Sequence, residues 1–245
     1  CLTNQLLVPS DADIVIEGYV DPSEDLVREG PFGDHTGFYS LADWYPRFHV
    51  TCITHARDAV YPATIVGVPP QEDAWFAEAT EKIFIEPVRL AIQPEVEDFH
   101  MPSAGVAHNL LIVKIRKSYP GQGMKVISSL AGAGQMMFTK YFVVVSGDID
   151  IRDYNSLARH VFENFDPQND IMFFRGPLDV LDHSGTAMSF GGKAGIDATI
   201  KYPEELKDRE LPRADITNER ISLSSSIFTS GKPAGNYNVA IPEDG

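Results

Sequence analysis

Cysteine is almost absent from this 245-residue chain: Cys1 and Cys52 are its only two, and neither belongs to a C-x-x-C pair. That excludes a disulfide framework and any zinc or redox motif built on cysteine spacing, and it fits a reducing, cytoplasmic setting. Basic charge is scarce as well. Twenty Lys and Arg stand against 35 Asp and Glu, a formal net charge of −15, whereas nucleic-acid binders concentrate Lys and Arg on one face. Nucleic acid is therefore not an expected partner, and an anionic membrane surface would repel the chain. No apolar run approaches the roughly 18 residues that a membrane-spanning helix needs. The opening Cys1-Leu2-Thr3-Asn4 lacks the charged and apolar regions of a signal peptide, and we read it as a boundary inside a longer protein.

What remains is the composition of a soluble globular protein, 43% hydrophobic and 22% charged, with its 17 prolines and 19 glycines spread along the chain; disorder is not the default reading. Residues 13–20 (DIVIEGYV), 47–54 (RFHVTCIT) and 60–66 (VYPATIV) are rich in β-branched or alternating apolar residues and predict strands. After Pro69-Pro70, residues 71–88 place Trp75, Phe76, Ala79, Ile83 and Phe84 at helical spacing behind acids in the first turn. This predicts an amphipathic helix packing on the β unit. Residues 94–105 lack periodicity, and a boundary near residue 100 divides the chain into 1–100 and 101–205.

Beyond it the element types alternate: strand 110–115, a helix within 121–136, strand 141–145, helix 154–165 and strand 171–174. Apolar strands alternating with helices imply an α/β unit with a mostly parallel sheet. Residues 206–245 are polar, with a SLSSS stretch at 222–226, and read as an extended tail without a core of its own.

The densest chemistry lies in EGPFGDHTG at 29–37. Three glycines permit close backbone approach to a ligand, and Glu29 and Asp34, five apart across a rigid turn, can put two carboxylates into one cavity. Two acids in one apolar pocket acquire separated pKa values, so that one donates a proton while the other stays charged. A solvated, glycine-rich surface loop with ordinary acids is the alternative.

Together with the preceding VPSDADIVIEGYVDP, this loop resembles the signature of the UbiD family, prenylated-flavin-dependent decarboxylases of aromatic and α,β-unsaturated acids. The blocks HNLLIVKIRKSYPG (108–121), FTKYFVVVSGDIDIRD (138–153) and GGKAGIDATIK (191–201) resemble the same family in the same order, so the likeness covers roughly residues 6–203. The resemblance implies a split β-barrel portion followed by an α/β domain that mediates homo-oligomers. It implies Asp34 as the proton donor to the carbon that loses CO2, with Glu29 as partner acid in a Glu-Arg-acid network. His35 would approach the cofactor or substrate through the same loop, and Pro177 and Leu178 would line the substrate mouth.

In that family prenylated FMN, made by a flavin prenyltransferase, is bound with Mn2+ and K+. The residues holding the metal, and the arginine of the acid network, precede the part resembled here. No metal ligand is therefore expected in this chain, and the isolated chain is expected to bind no cofactor and to be inactive. Polyprenyl-4-hydroxybenzoate, a quinone precursor, is one candidate acid. The rival reading is a non-catalytic oligomerisation module or truncated paralogue. The basic residue that the family often carries near Gly134 is absent here.

Other motifs carry less. Asp182-His183-Ser184 has the residue types of a hydrolase triad, but adjacent side chains point apart. His49 and His55 find no third metal ligand at suitable spacing. Gly132-Ala133-Gly134 falls inside the predicted helix and lacks the strand-turn-helix context of a dinucleotide site; close helix packing is its expected role. Gly191-Gly192-Lys193, with Asp197 and Lys201, has no assigned chemical step and suits a structural turn with solvated charges.

Overall fold

The computed structural model describes residues 1–207 apart from Thr186. Two units divide the chain, Cys1–Lys201 and Tyr202–Gly245. The first opens with β1 (Ile14–Val20), β2 (Val27–Glu29), β3 (Asp43–Tyr45) and β4 (Phe48–His55). β1 pairs antiparallel with β4, and β2 with β3. Both sheets stay two-stranded, and no barrel closes among the described residues. Ile16, Val20, Phe48, Val50 and Ile53 are consequently exposed along β1 and β4. Residues 60–66, predicted as a strand, form none: Pro62 cannot donate to a ladder, and Val60, Tyr61 and Ile65 lie exposed.

A long helix, α1 (Glu72–Ala91), follows, but it buries a different face from the one its apolar spacing suggests. Ala77, Glu81 and Val88 point inward, whereas Trp75, Phe76, Ile83 and Phe84 are exposed. The helix packs on β5 (Val96–His100), which belongs to the larger sheet, and not on the β unit expected. β5 pairs with β6 (Leu110–Ile115), so that sheet begins ahead of residue 100.

The larger sheet is completed by β7 (Tyr141–Ser146), β8 (Ile171–Pro177) and β9 (Phe190–Ala198), in the order β5-β6-β7-β9-β8. The central β6, β7 and β9 run parallel, and the edges β5 and β8 are antiparallel to their neighbours. Helices α2 (Gln122–Leu130) and α3 (Tyr154–Asn164) make the crossovers. Val113, Phe142 and Val144 pack with Val126, Ile127 and Leu130 of α2 and with Val88 of α1. Ile112, Val145 and Ala198 pack on the other face with Leu157 of α3. The mostly apolar runs of β6 and β7, which only Lys114 interrupts before Ser146, follow from cover on both faces.

β9 corrects the turn reading of the GGK segment. It is a strand between β7 and β8, and a Cβ on Gly195 would lie 2.3 Å from Cγ2 of Ile127, so only glycine lets α2 pack this close. Its charges are buried, not solvated: Lys193 is 3% exposed and Asp197 2%. Lys201 Nζ donates to the Asp197 carbonyl at 2.6 Å and to its carboxylate at 3.1 Å. Gly132 lies in the turn after α2, which ends at Leu130, and Gly134 opens a short 3-10 helix over Gly134–Phe138.

In the second unit the described residues form α4 (Pro203–Leu206), whose Glu205 side chain accepts from the Tyr202 amide at 2.7 Å. The remainder of the tail expected over 206–245, from residue 208 on, lies outside the described residues.

Candidate active site

The acid loop leaves β2 at Glu29 and closes on itself before β3. Gly30 and Gly37 take φ of +89° and +87°, a region that an L side chain resists. Between them the Asp34 amide donates to the Phe38 carbonyl at 3.0 Å, the Gly37 amide donates to the Asp34 carbonyl at 3.1 Å, and Ser40 and Phe32 bond across the base. The two acids receive different surroundings. Glu29 is exposed, while the Asp34 side chain is only 14% exposed.

Asp34 Oδ2 accepts from the Thr36 amide at 3.1 Å and the Thr36 hydroxyl at 2.7 Å; Oδ1 faces His35 Nδ1 at 3.1 Å. Burial by itself would raise the Asp34 pKa, but the Thr36 hydrogen bonds and the neighbouring His35 outweigh it and hold the carboxyl below its ordinary value.

His35 ties this loop to the larger domain. Its Nε2 lies 3.2 Å from the Val106 carbonyl, and its ring meets that of His108 edge-on with centroids 5.1 Å apart. His108 Nδ1 lies 3.2 Å from Asn109 Oδ1, and its buried Nε2 has no partner among the described residues. Burial pushes the His108 pKa down, opposed in part by the charge of Asp179. Farther round the loop, the Phe38 ring packs on His183 at 4.8 Å.

The segment after Pro177 and Leu178 thus comes up to the acid loop through His183. Pro177 itself is exposed at the end of β8, whereas Leu178 is buried, with its amide donating to the Ser189 carbonyl at 3.0 Å. Asp182, His183 and Ser184 make no triad: Asp182 accepts from Lys140 at 2.8 Å and from Ser184 at 2.7 Å, and the His183 ring lies on Phe38. His49 is occupied by Glu24 at 2.7 Å and by the Tyr19 ring, and His55 by the Ala56 carbonyl.

His108 received no role from the sequence, although it heads one of the blocks that carry the resemblance. A histidine directly before a buried strand was its only local signal; the contact with His35 joins residues far apart in the chain.

Two antiparallel strand pairs precede a mixed sheet with helices on both faces, and the acid loop reaches the turn before β6 through His35. Residues 1–69 match the Rift-related domain and residues 74–198 the C-terminal domain of 3-octaprenyl-4-hydroxybenzoate carboxy-lyase. The chain belongs to the UbiD family.

Among curated relatives it is 48% identical over 211 residues to an uncharacterised protein of Aquifex aeolicus (86% of this chain, 43% of that protein). It is 46% identical over 213 residues to one of Archaeoglobus fulgidus (86% and 44%). Among solved structures it is similar to the UbiD-class enzyme HmfF from Pelotomaculum thermopropionicum in complex with FMN. The TM-score is 0.68 at 29% identity, covering 88% of this chain and 48% of that one. The fold is shared also with vanillic acid decarboxylase of Sedimentibacter hydroxybenzoicus in open form, at TM-score 0.72 and 23% identity, with 90% and 48% covered. The chain thus spans less than half the length of the relatives it matches.

No three His, Cys, Asp or Glu side chains of the described residues converge in a way that could hold a metal ion, and no ion pair joins Glu29 to a basic side chain among them. No described helix is long and apolar enough to cross a membrane.

Proposed function

We propose that this chain supplies the proton-transfer loop of a carboxy-lyase that removes CO2, without oxidation and reversibly, from an aromatic or α,β-unsaturated acid. The observation that carries this reading is the seating of Asp34: enclosed, held by Thr36, and in a loop that the sheet domain braces through His35 and His183. Loss of CO2 leaves a carbon that takes a proton from a positioned acid, and Asp34 suits that step where the exposed Glu29 does not. Glu29 is the partner acid, whose own partner would come from outside the described residues.

The uncovered apolar side chains of β1 and β4 support a working enzyme about twice this length, with the prenylated flavin, Mn2+ and K+ held mainly by the other half. Prenylated FMN accompanies an evolved dimeric form of HmfF, and the exposed apolar side of α1 supports a homo-oligomer here too. The cofactor would come from a flavin prenyltransferase, and the site is cytoplasmic. A quinone precursor such as polyprenyl-4-hydroxybenzoate is one candidate acid, and by itself the chain would be inactive.

The test is Asp34→Asn in the whole, flavin-loaded enzyme. Decarboxylation and the exchange of product hydrogen with solvent should both fall about 100-fold or more, the scale of a lost general acid, with flavin still bound. Unchanged turnover sinks the assignment.

A further inference from the structure

The geometry points to His35 as the positioning residue that holds and reloads the Asp34 proton, a role that rests on reading Asp34 as the proton donor. His35 Nε2 faces the Val106 carbonyl at 3.2 Å, and a carbonyl oxygen only accepts, so Nε2 carries a hydrogen. Nδ1 faces Asp34 Oδ1 at 3.1 Å. With Nε2 already protonated, Nδ1 either receives a proton from the Asp34 carboxylic acid or donates one to its carboxylate. The heavy atoms need not move between those states, and one proton belongs to the pair. Thr36 points two donors at Oδ2, which leaves Oδ1 as the oxygen of exchange.

The carbonyl that sets this tautomer is itself held in place. Val106 and Ala107 have φ of +49° and +61°, a left-handed conformation that is out of the ordinary for a β-branched residue and recurs where a site constrains its backbone. The Val106 amide anchors the turn by donating to the Ser103 carbonyl at 2.9 Å. The titratable groups facing His35 are Asp34 and, edge-on, His108, which Asp179 influences in turn. Asp73 lines the same small cavity of about 10 Å³ as His35.

The chemistry gives such a pair a task. Decarboxylation replaces a C–CO2 bond with C–H and consumes one proton per turnover. Asp34 O–H gives its proton to the carbon, the resulting carboxylate takes one from His35 Nδ1–H, and the pair recovers the lost proton from water. Hydrogen bonding holds Asp34 below its ordinary pKa, so at rest it is ionised and must be loaded. The His35 side chain, 23% exposed, reaches solvent.

Histidine-labelled protein read by nitrogen NMR tests this without turnover. His35 Nε2 should carry the hydrogen of the neutral ring, and Asp34→Asn should move the His35 Nδ1 resonance by removing the carboxylate it faces. A neutral His35 protonated at Nδ1, or an Nδ1 resonance indifferent to Asp34→Asn, overturns the proposal. In the whole enzyme, His35→Gln keeps a donor toward Val106 but cannot carry the proton. It should lower kcat about tenfold or more with little change in KM and remove one limb of the pH profile; an unaltered profile also overturns it. Coupling seen by NMR alongside normal turnover of Asp34→Asn would refute the donor reading, and with it the reloading role, while leaving the shared proton established.

Discussion

Arg152, in the loop between β7 and α3, reaches the Glu81 carboxylate of α1 at 2.9 Å, while His100 of β5 holds the other oxygen at 2.9 Å. Glu81 is 3% exposed, and three separate elements meet on it. Arg152→Ala leaves a buried carboxylate with fewer donors, though the His100 bond and the Met101 amide at 2.6 Å remain. Because Arg152 is 40% exposed, the expected loss is moderate, about 1–3 kcal/mol, read as a lower urea midpoint at neutral pH. An unchanged midpoint would show that the pair contributes nothing.

The same carboxylate sets an acid limit. Burial would raise its pKa, but His100, the Met101 amide and Arg152 outweigh burial and bring it below the ordinary 4.5. A carboxylate with a depressed folded-state value stabilises the fold above its unfolded value and ceases to as pH falls through the folded one. Stability should therefore decline below about pH 4.5, and Glu81→Gln should flatten that decline while lowering stability at pH 7. An acid profile identical to that of the parent would refute the assignment.

Gly195→Ala tests the packing of β9 on α2. The added methyl meets Ile127 Cγ2 at 2.3 Å, and overpacking of this kind costs about 1–3 kcal/mol. Ile127→Ala, which removes Cγ2, should cost less in the Gly195→Ala chain than in the parent, because it takes away the atom that the new methyl strikes. Thermal melts of the single and double variants decide it.

Glu29→Gln separates chemistry from stability. Its side chain is exposed at the end of β2, and an exposed isosteric change shifts stability by no more than about 0.5 kcal/mol. Activity of the whole enzyme should fall while the melting temperature holds. A parallel loss of both would assign Glu29 to the fold and not to the reaction.

The sequence shows the apolar strands of the sheet more readily than the glycine-rich one. Leu110–Ile115 and Tyr141–Ser146 are legible because strands covered on both faces are mostly apolar. β9 is hidden because its glycines and charges, which look like a turn, answer to α2 and to a buried ion cluster formed far along the chain. α1 is visible as a helix, yet its buried stripe contains Glu81, which only the partners Arg152 and His100 make tolerable. At the site the acids and their loop can be read locally. The Val106 carbonyl, the His108 ring and the His183 contact cannot, since each is a meeting of distant segments.

That separation has a consequence for how the protein matures. His35 and the Val106 carbonyl are 71 residues apart, and Phe38 rests on His183, which emerges from the ribosome later still. During synthesis the acid loop is made first, and its braces follow after many seconds, at roughly 5–20 residues per second. Until the segment beyond β8 is complete, Asp34 has the hydrogen bonds of its own loop from Thr36, and the Phe38 ring lacks its contact with His183. The loop's full set of braces is therefore assembled late, although both acids are present from the start.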